Sequence, residues 1–158
     1  MKGKEKARRQ KADSPYIGNF IHRYFETRTC RRMKEIETDI KVIKPIRLLV
    51  TGGRAYWDEE ELYRVLDKVA EDRTISVLIH GDAAGADTLA GSWAKDRGIP
   101  TIAIPADWQR LGRRAGPIRN RVMLEQCSPD LVIAFPGGRG TRDMIRISKA
   151  AGIEVIEI

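Results

Sequence analysis

The chain has 158 residues, 42% hydrophobic and 32% charged, enough for one domain with a proper core plus additional sequence. No apolar run approaches the ~18 residues needed to cross a bilayer, and the basic start (Lys2, Lys4, Lys6, Arg8, Arg9, Lys11) lacks the apolar stretch of a secretory leader. The net charge of +7 lies wholly in residues 1–45, with 13 Lys/Arg against 6 Asp/Glu; residues 46–158 hold 16 of each sign, so that part has no global electrostatic pull toward nucleic acid.

Residues 1–45 read as a basic N-terminal extension. Its first dozen residues are polar enough to predict disorder. Ser14-Pro15 then reads as a helix start, with Ile17, Phe20, Ile21, Tyr24 and Phe25 following at helical spacing. That stripe predicts a short helix from Pro15 to about Phe25, packed on this domain or on a second copy of the chain in a homo-oligomer. The basic residues predict no more than weak, salt-sensitive contact with nucleic acid. His22 and Cys30 show no metal-ligand spacing. Cys30 and Cys127 form no disulfide framework, so free thiols in a reducing cytoplasm are expected, with no metal and no membrane partner.

From Ile46 onward, short apolar runs alternate with helical patterns. Ile46–Val50, Ile75–Ile79, Thr101–Ile104, Leu131–Phe135 and Ile153–Ile158 read as strands, and the first four look covered on both faces. Asp58 is placed to cap the first helix, with Glu61 at capping-box spacing and Leu62, Val65, Leu66 and Val69 facing inward. A second helix runs from about Ala86 to Arg97 and stops at Gly98. A third starts at Pro117 and turns Ile118, Val122, Met123 and Leu124 inward. A fourth runs from about Thr141 to Ala151, with Met144, Ile145 and Ser148 inward and Gly152 ending it. This alternation predicts an α/β domain over residues 46–158: a Rossmann-like parallel five-stranded sheet, order 3-2-1-4-5, with helices on both faces. Strands 1 and 4 then meet at the switch point, where a crevice opens at their carboxyl ends.

The loops leaving those carboxyl ends concentrate glycine, arginine and carboxylate. They are Thr51-Gly52-Gly53-Arg54, the run from His80 through Gly81 and Gly85 to Asp87, the run from Asp107-Trp108 through Arg113, Arg114 and Arg119 to Asn120, and Pro136-Gly137-Gly138-Arg139-Gly140-Thr141. Glycine lets backbone approach a ligand closely, and the amides of a following helix favour an anion. The last loop therefore reads as a phosphate cradle in which Thr141 caps the helix and also bonds a phosphate oxygen. Glycines at such turns also serve simply to make tight corners. Three of these loops on one edge, with arginines among them, point to a nucleotide-like ligand.

The stretch from Ile46 to Ile158 resembles the SLOG superfamily, and within it the YspA-type, YpsA-related branch found in bacteria and their phages. The matching residues are Thr51-Gly-Gly-Arg54, Gly81 with Gly85-Ala86-Asp87, Trp93-Ala94 with Arg97-Gly98, Ala106-Asp107-Trp108, Ala115 to Asn120, and Ala134 to Thr141. The resemblance implies binding of a nucleotide or nucleotide-derived ligand. Relatives in the superfamily include the cytokinin-activating phosphoribohydrolases, in which the Pro-Gly-Gly-x-Gly-Thr motif is followed after two residues by a catalytic Glu, and the DNA-processing protein DprA. Here the Glu position is Met144, so catalysis does not carry over at that residue.

Several residues keep two readings. Asp87 is either an acceptor for ribose hydroxyls or a carboxylate at a helix start. Arg113, Arg114 and Arg119 offer guanidinium forks to phosphate or form a solvated loop, and Asn120 shares that segment. Trp108 offers a stacking surface for a base, whereas Trp93 reads as packing. His80 reads as a hydrogen-bonded loop histidine or an acid-base group. Asp143 reads as a first-turn helix acid rather than a substitute for the missing Glu. The leading function is a nucleotide-binding or sensing module. The alternatives are a hydrolase or transferase at an N-glycosidic or phosphoribosyl bond, using Asp87, Asp107 or Asp143, and a nucleic-acid-associated protein related to DNA processing.

Overall fold

The computed structural model describes residues 44–158. The expected helix from Pro15 to Phe25 and the rest of the basic extension through residue 43 lie outside the described residues. In chain order the elements are β1 (Ile46–Thr51), α1 (Glu59–Asp72), β2 (Ile75–His80), α2 (Ala86–Asp96), β3 (Thr101–Ala103), α3 (Trp108–Leu111) with a 3₁₀ turn (Gly112–Arg114), α4 (Ala115–Cys127), β4 (Leu131–Ala134), α5 (Arg139–Ala150) and β5 (Glu154–Glu157). The sheet runs β3-β2-β1-β4-β5 with every pair parallel, the expected Rossmann-like order. Among the described residues no helix is long and apolar enough to cross a membrane.

Side chains alternate across each strand, so one sheet feeds two cores. Leu48, Val50, Leu78, Leu131 and Ile133 face α1 and α2, where Leu62, Val65, Leu66, Ala90 and Trp93 meet them. Leu49, Ile79 and Val132 face α4 and α5, where Met123, Cys127 and Met144 close the second core. Burying each such aliphatic side chain contributes ~1.5–3 kcal/mol. Trp93 is the packing residue expected, fully buried, and its Nε1 donates to Asp67 Oδ1 at 2.9 Å. Asp67 also takes both nitrogens of the Arg97 fork, at 2.9 and 2.8 Å.

Four local expectations change. β3 is not covered on both faces, since Thr101 and Ala103 are exposed; it is an edge strand with a single neighbour. At α1 the Asp58 carboxylate accepts from the Glu61 amide at 3.0 Å, but Glu61 turns its own carboxylate to Arg64, so half of the capping box is missing. α4 begins at Ala115, before Pro117, and its inward positions are Gly116, Asn120, Met123 and Cys127, which leaves Ile118 exposed. α5 begins at Arg139 with Gly138 as its N-cap and no side-chain cap, so Thr141 lies inside the first turn instead of capping it.

Candidate functional site

The register Thr51↔Ala134 brings the ends of β1 and β4 to the same sheet edge. Their loops, with the one after β2, are tied together through Gly53. Its amide donates to the Pro136 carbonyl at 2.9 Å, and its carbonyl accepts from Ala86 and Tyr56 at 3.2 and 3.1 Å. This junction leaves no room for side chains. A Cβ on Gly137 would lie 2.8 Å from the Gly53 nitrogen and against the Thr141 hydroxyl, and Gly85 has φ +80° with the Gly53 carbonyl where its Cβ would be.

Beside the junction opens a cleft of about 930 Å³, within the range of small-molecule sites. One end of it is the start of α5. The first bond of that helix runs from the Arg142 amide to the Gly138 carbonyl, so the amides of Arg139, Gly140 and Thr141 have no acceptor within the helix, and no side chain caps them. The Thr141 hydroxyl is buried there with no hydrogen-bond partner among the described residues. Gly138 and Gly140 line the same end, and a Cβ on either would meet nothing within 4 Å. Arg54 and Arg139 also line the cleft, and neither has a carboxylate partner among the described residues. Free helix-start amides, a buried hydroxyl and two guanidinium groups without a carboxylate partner thus gather at this end of the cleft.

A second group holds a buried pair. Asp87 accepts from the Gly81 amide at 3.0 Å and the Ala83 amide at 3.3 Å, with Arg119 Nη1 at 3.8 Å. Burial pushes the Asp87 carboxyl above its ordinary value, opposed by Arg119, the two amides and His80. Burial likewise lowers Arg119, whose Nη1 donates to the Gly81 carbonyl and whose buried Nε has no partner among the described residues. His80 ends β2, buried, with Nδ1 accepting from the Asp82 amide at 3.2 Å; burial pushes its imidazole below the ordinary value, against the pull of Asp87 and Asp82.

The cleft thus gathers Thr51, Gly52, Gly53, Arg54, Asp87, Trp108, Arg119, Asn120 and the whole run from Pro136 to Thr141. Gly81 lines a smaller cavity of about 360 Å³ that shares Arg54, Trp108 and Arg119 with it, while Gly85 acts through its contact with Gly53. Asn120 donates to the Gly140 carbonyl and to Asp143, both at 3.1 Å, joining α4 to the first turn of α5. Arg114 is exposed in the 3₁₀ turn and lines neither cavity. Asp107 caps α3 by accepting from the Arg110 amide at 3.0 Å, and Asp143 is held by Asn120 and by Arg146 at 2.7 Å; neither lines a cavity. Met144 is fully buried in the second core. Sequence reasoning stopped at Arg54 and missed Tyr56, Trp57 and Asp58, which continue the cleft wall. The available signal was a large aromatic directly before a helix cap in a glycine loop. Among the described residues no group of three or more His, Cys, Asp or Glu is placed to hold a metal ion.

Residues 46–111, from β1 through α3, match the YspA, cpYpsA-related SLOG family. The Gene 61 protein of Mycobacterium phage D29 is 36% identical over 118 residues, covering 70% of this chain and 94% of that protein. The X-ray structure of DNA processing protein A (DprA) from Streptococcus pneumoniae aligns over 91% of this chain and 80% of that one, with 17% sequence identity and a TM-score of 0.41. With its first strands and loops matched and a phage relative aligned almost end to end, the chain belongs to the YspA, cpYpsA-related SLOG family.

Proposed function

We propose that residues 46–158 bind a nucleotide or nucleotide-derived ligand by its phosphate, as a binding or sensing module. The phosphate sits at the start of α5, on the amides of Arg139 to Thr141. The observation that carries this reading is the buried Thr141 hydroxyl with no partner among the described residues. An unsatisfied buried hydroxyl costs on the order of 1–3 kcal/mol, and a phosphate oxygen removes that cost. Arg54 and Arg139 supply the matching charge, and Asp87 is placed to accept a ribose hydroxyl. The hydrolytic alternative has weaker support, because the turn that carries a catalytic Glu in the phosphoribohydrolases carries the core residue Met144 here.

Thr141→Val separates the roles of that hydroxyl. It removes an unpartnered polar atom at nearly constant shape, so the free protein keeps or raises its Tm. Affinity for ribose 5-phosphate and for nucleoside 5′-monophosphates, read by calorimetry, falls roughly tenfold or more, the worth of one hydrogen bond to a charged group. Unchanged affinity in the variant would overturn the cradle.

A further inference from the structure

We infer that Trp57 is the platform on which an aromatic base lies, which makes the ligand class a nucleotide carrying a planar base and not a bare sugar phosphate; this rests on the phosphate-binding reading above. Trp57 lines the cleft, yet 83% of its surface is exposed. Single exposed aromatics are common on protein surfaces. What sets Trp57 apart is how firmly its neighbours are held. The Tyr56 amide donates to the Gly53 carbonyl at 3.1 Å, and its ring lies 5.2 Å from the buried ring of Phe135. On the other side Asp58 caps α1 through the Glu61 amide, and the Glu59 amide donates to the Trp57 carbonyl at 2.9 Å. The backbone at Trp57 is therefore held while the indole stays uncovered in the cleft that the start of α5 also lines.

The other exposed indole of the cleft is Trp108, and part of its surface is already occupied. The Arg54 guanidinium lies 4.7 Å from the centre of its ring, and its ring edge is 3.2 Å from where a Cβ on Gly116 would be. Trp108 holds Arg54 over the cleft by a cation–π contact. The indole with open faces is Trp57. Stacking on it buries aromatic surface on both partners and accepts any base, since every base has a π-face.

The base could belong to a free nucleotide or to a single strand of nucleic acid. The observations favour the free nucleotide, because the phosphate end closes on a buried hydroxyl and helix amides, which suits a terminal phosphate. Residues 46–158 also carry equal numbers of basic and acidic groups, unlike a surface that tracks a phosphate backbone.

The test titrates the full chain and its Trp57→Ala and Trp57→Phe variants with ribose 5-phosphate, the 5′-monophosphates of adenosine, guanosine, cytidine and uridine, and a 5′-phosphorylated single-stranded oligonucleotide. In the parent at least one monophosphate binds roughly tenfold or more tighter than ribose 5-phosphate, the range of base–aromatic stacking. Trp57→Ala removes that advantage and leaves ribose 5-phosphate affinity unchanged, and Trp57→Phe keeps part of it. If ribose 5-phosphate binds but Trp57→Ala leaves the monophosphates untouched, or weakens both compounds equally, the inference alone falls. If only the oligonucleotide responds to Trp57, the residue belongs to a nucleic-acid surface and the inference is overturned. If no phosphate compound binds the parent, the phosphate-binding reading falls and takes the inference with it.

Discussion

Replacing Gly140 by alanine should make the protein more stable and a poorer binder at once. Gly140 is the second residue of α5, and a Cβ there meets nothing within 4 Å. Its φ is not among the positive values of the domain, so the fold gains nothing from glycine at this place. Glycine in a helix is less favourable than alanine by up to ~1 kcal/mol, so Gly140→Ala should stabilise by ~0.5–1 kcal/mol, which for a domain of this size raises Tm by roughly 2–5 °C. The Asn120 bond to the Gly140 carbonyl involves backbone and survives the change. Helix Cβ atoms tilt toward the N-terminus, so the added methyl stands over the first-turn amides where the phosphate belongs. Losing one charge-assisted bond at ~1.5–3 kcal/mol weakens binding roughly tenfold to a hundredfold. Thermal unfolding with graded ribose 5-phosphate reads both effects, since the free-protein Tm reports the helix and the ligand-induced rise reports affinity. A lower free-protein Tm, or a full ligand-induced rise in the variant, would refute the argument.

Two further outcomes follow from burial. Met144→Glu puts an unpaired carboxylate among Leu49, Ile79, Met123 and Val132, so it should cost ~3–5 kcal/mol in chemical denaturation and release no free base from nucleoside monophosphates; a stable variant with turnover would contradict the core placement. His80 has its ionisation lowered by burial, so its contribution is fully present above the ordinary value of 6.5 and is lost as pH falls below it. Unfolding free energy should therefore decline on acidification in the parent and decline less in His80→Gln, with Asp87, raised by burial, acting in the opposite direction at lower pH. Equal slopes in the two proteins would remove His80 from the account.

The sheet was legible because its inner strands are covered on both faces, so Leu48 to Val50 and Leu131 to Ile133 are unbroken apolar runs whichever core each residue serves. α4 was harder to read because two of its inward positions, Gly116 and Asn120, are not apolar. The first sits against the Trp108 ring and the second donates its amide to α5. These contacts thus erased the hydrophobic period that marks a helix face, and Ile118 stood in for it although its side chain is exposed. The glycine loops were legible as a group, since composition alone placed them at strand ends. The three candidate acids could not be ranked from sequence. Asp87, Asp107 and Asp143 each stand near a helix start, and only burial and hydrogen bonding separate a cleft residue from a cap and from a surface partner of Asn120.

The carboxylates left in the cleft bear on whether the site holds its ligand or cuts it. Two line it, Asp58 and Asp87. Asp58 is committed to capping α1. Asp87 already accepts two backbone amides and faces Arg119, which oppose but do not outweigh the burial that raises its carboxyl. A general acid or base must give up or take a proton during the reaction. A carboxylate held in place by two amides and a guanidinium has its geometry set for accepting a hydroxyl hydrogen bond, the role proposed for it above. One turn beyond Thr141, where a catalytic acid would project from the same helix, the chain has spent the position on packing with Met144. The buried Thr141 hydroxyl and the core placement of Met144 are the two observations that weigh for the proposed binding role over the hydrolytic alternative.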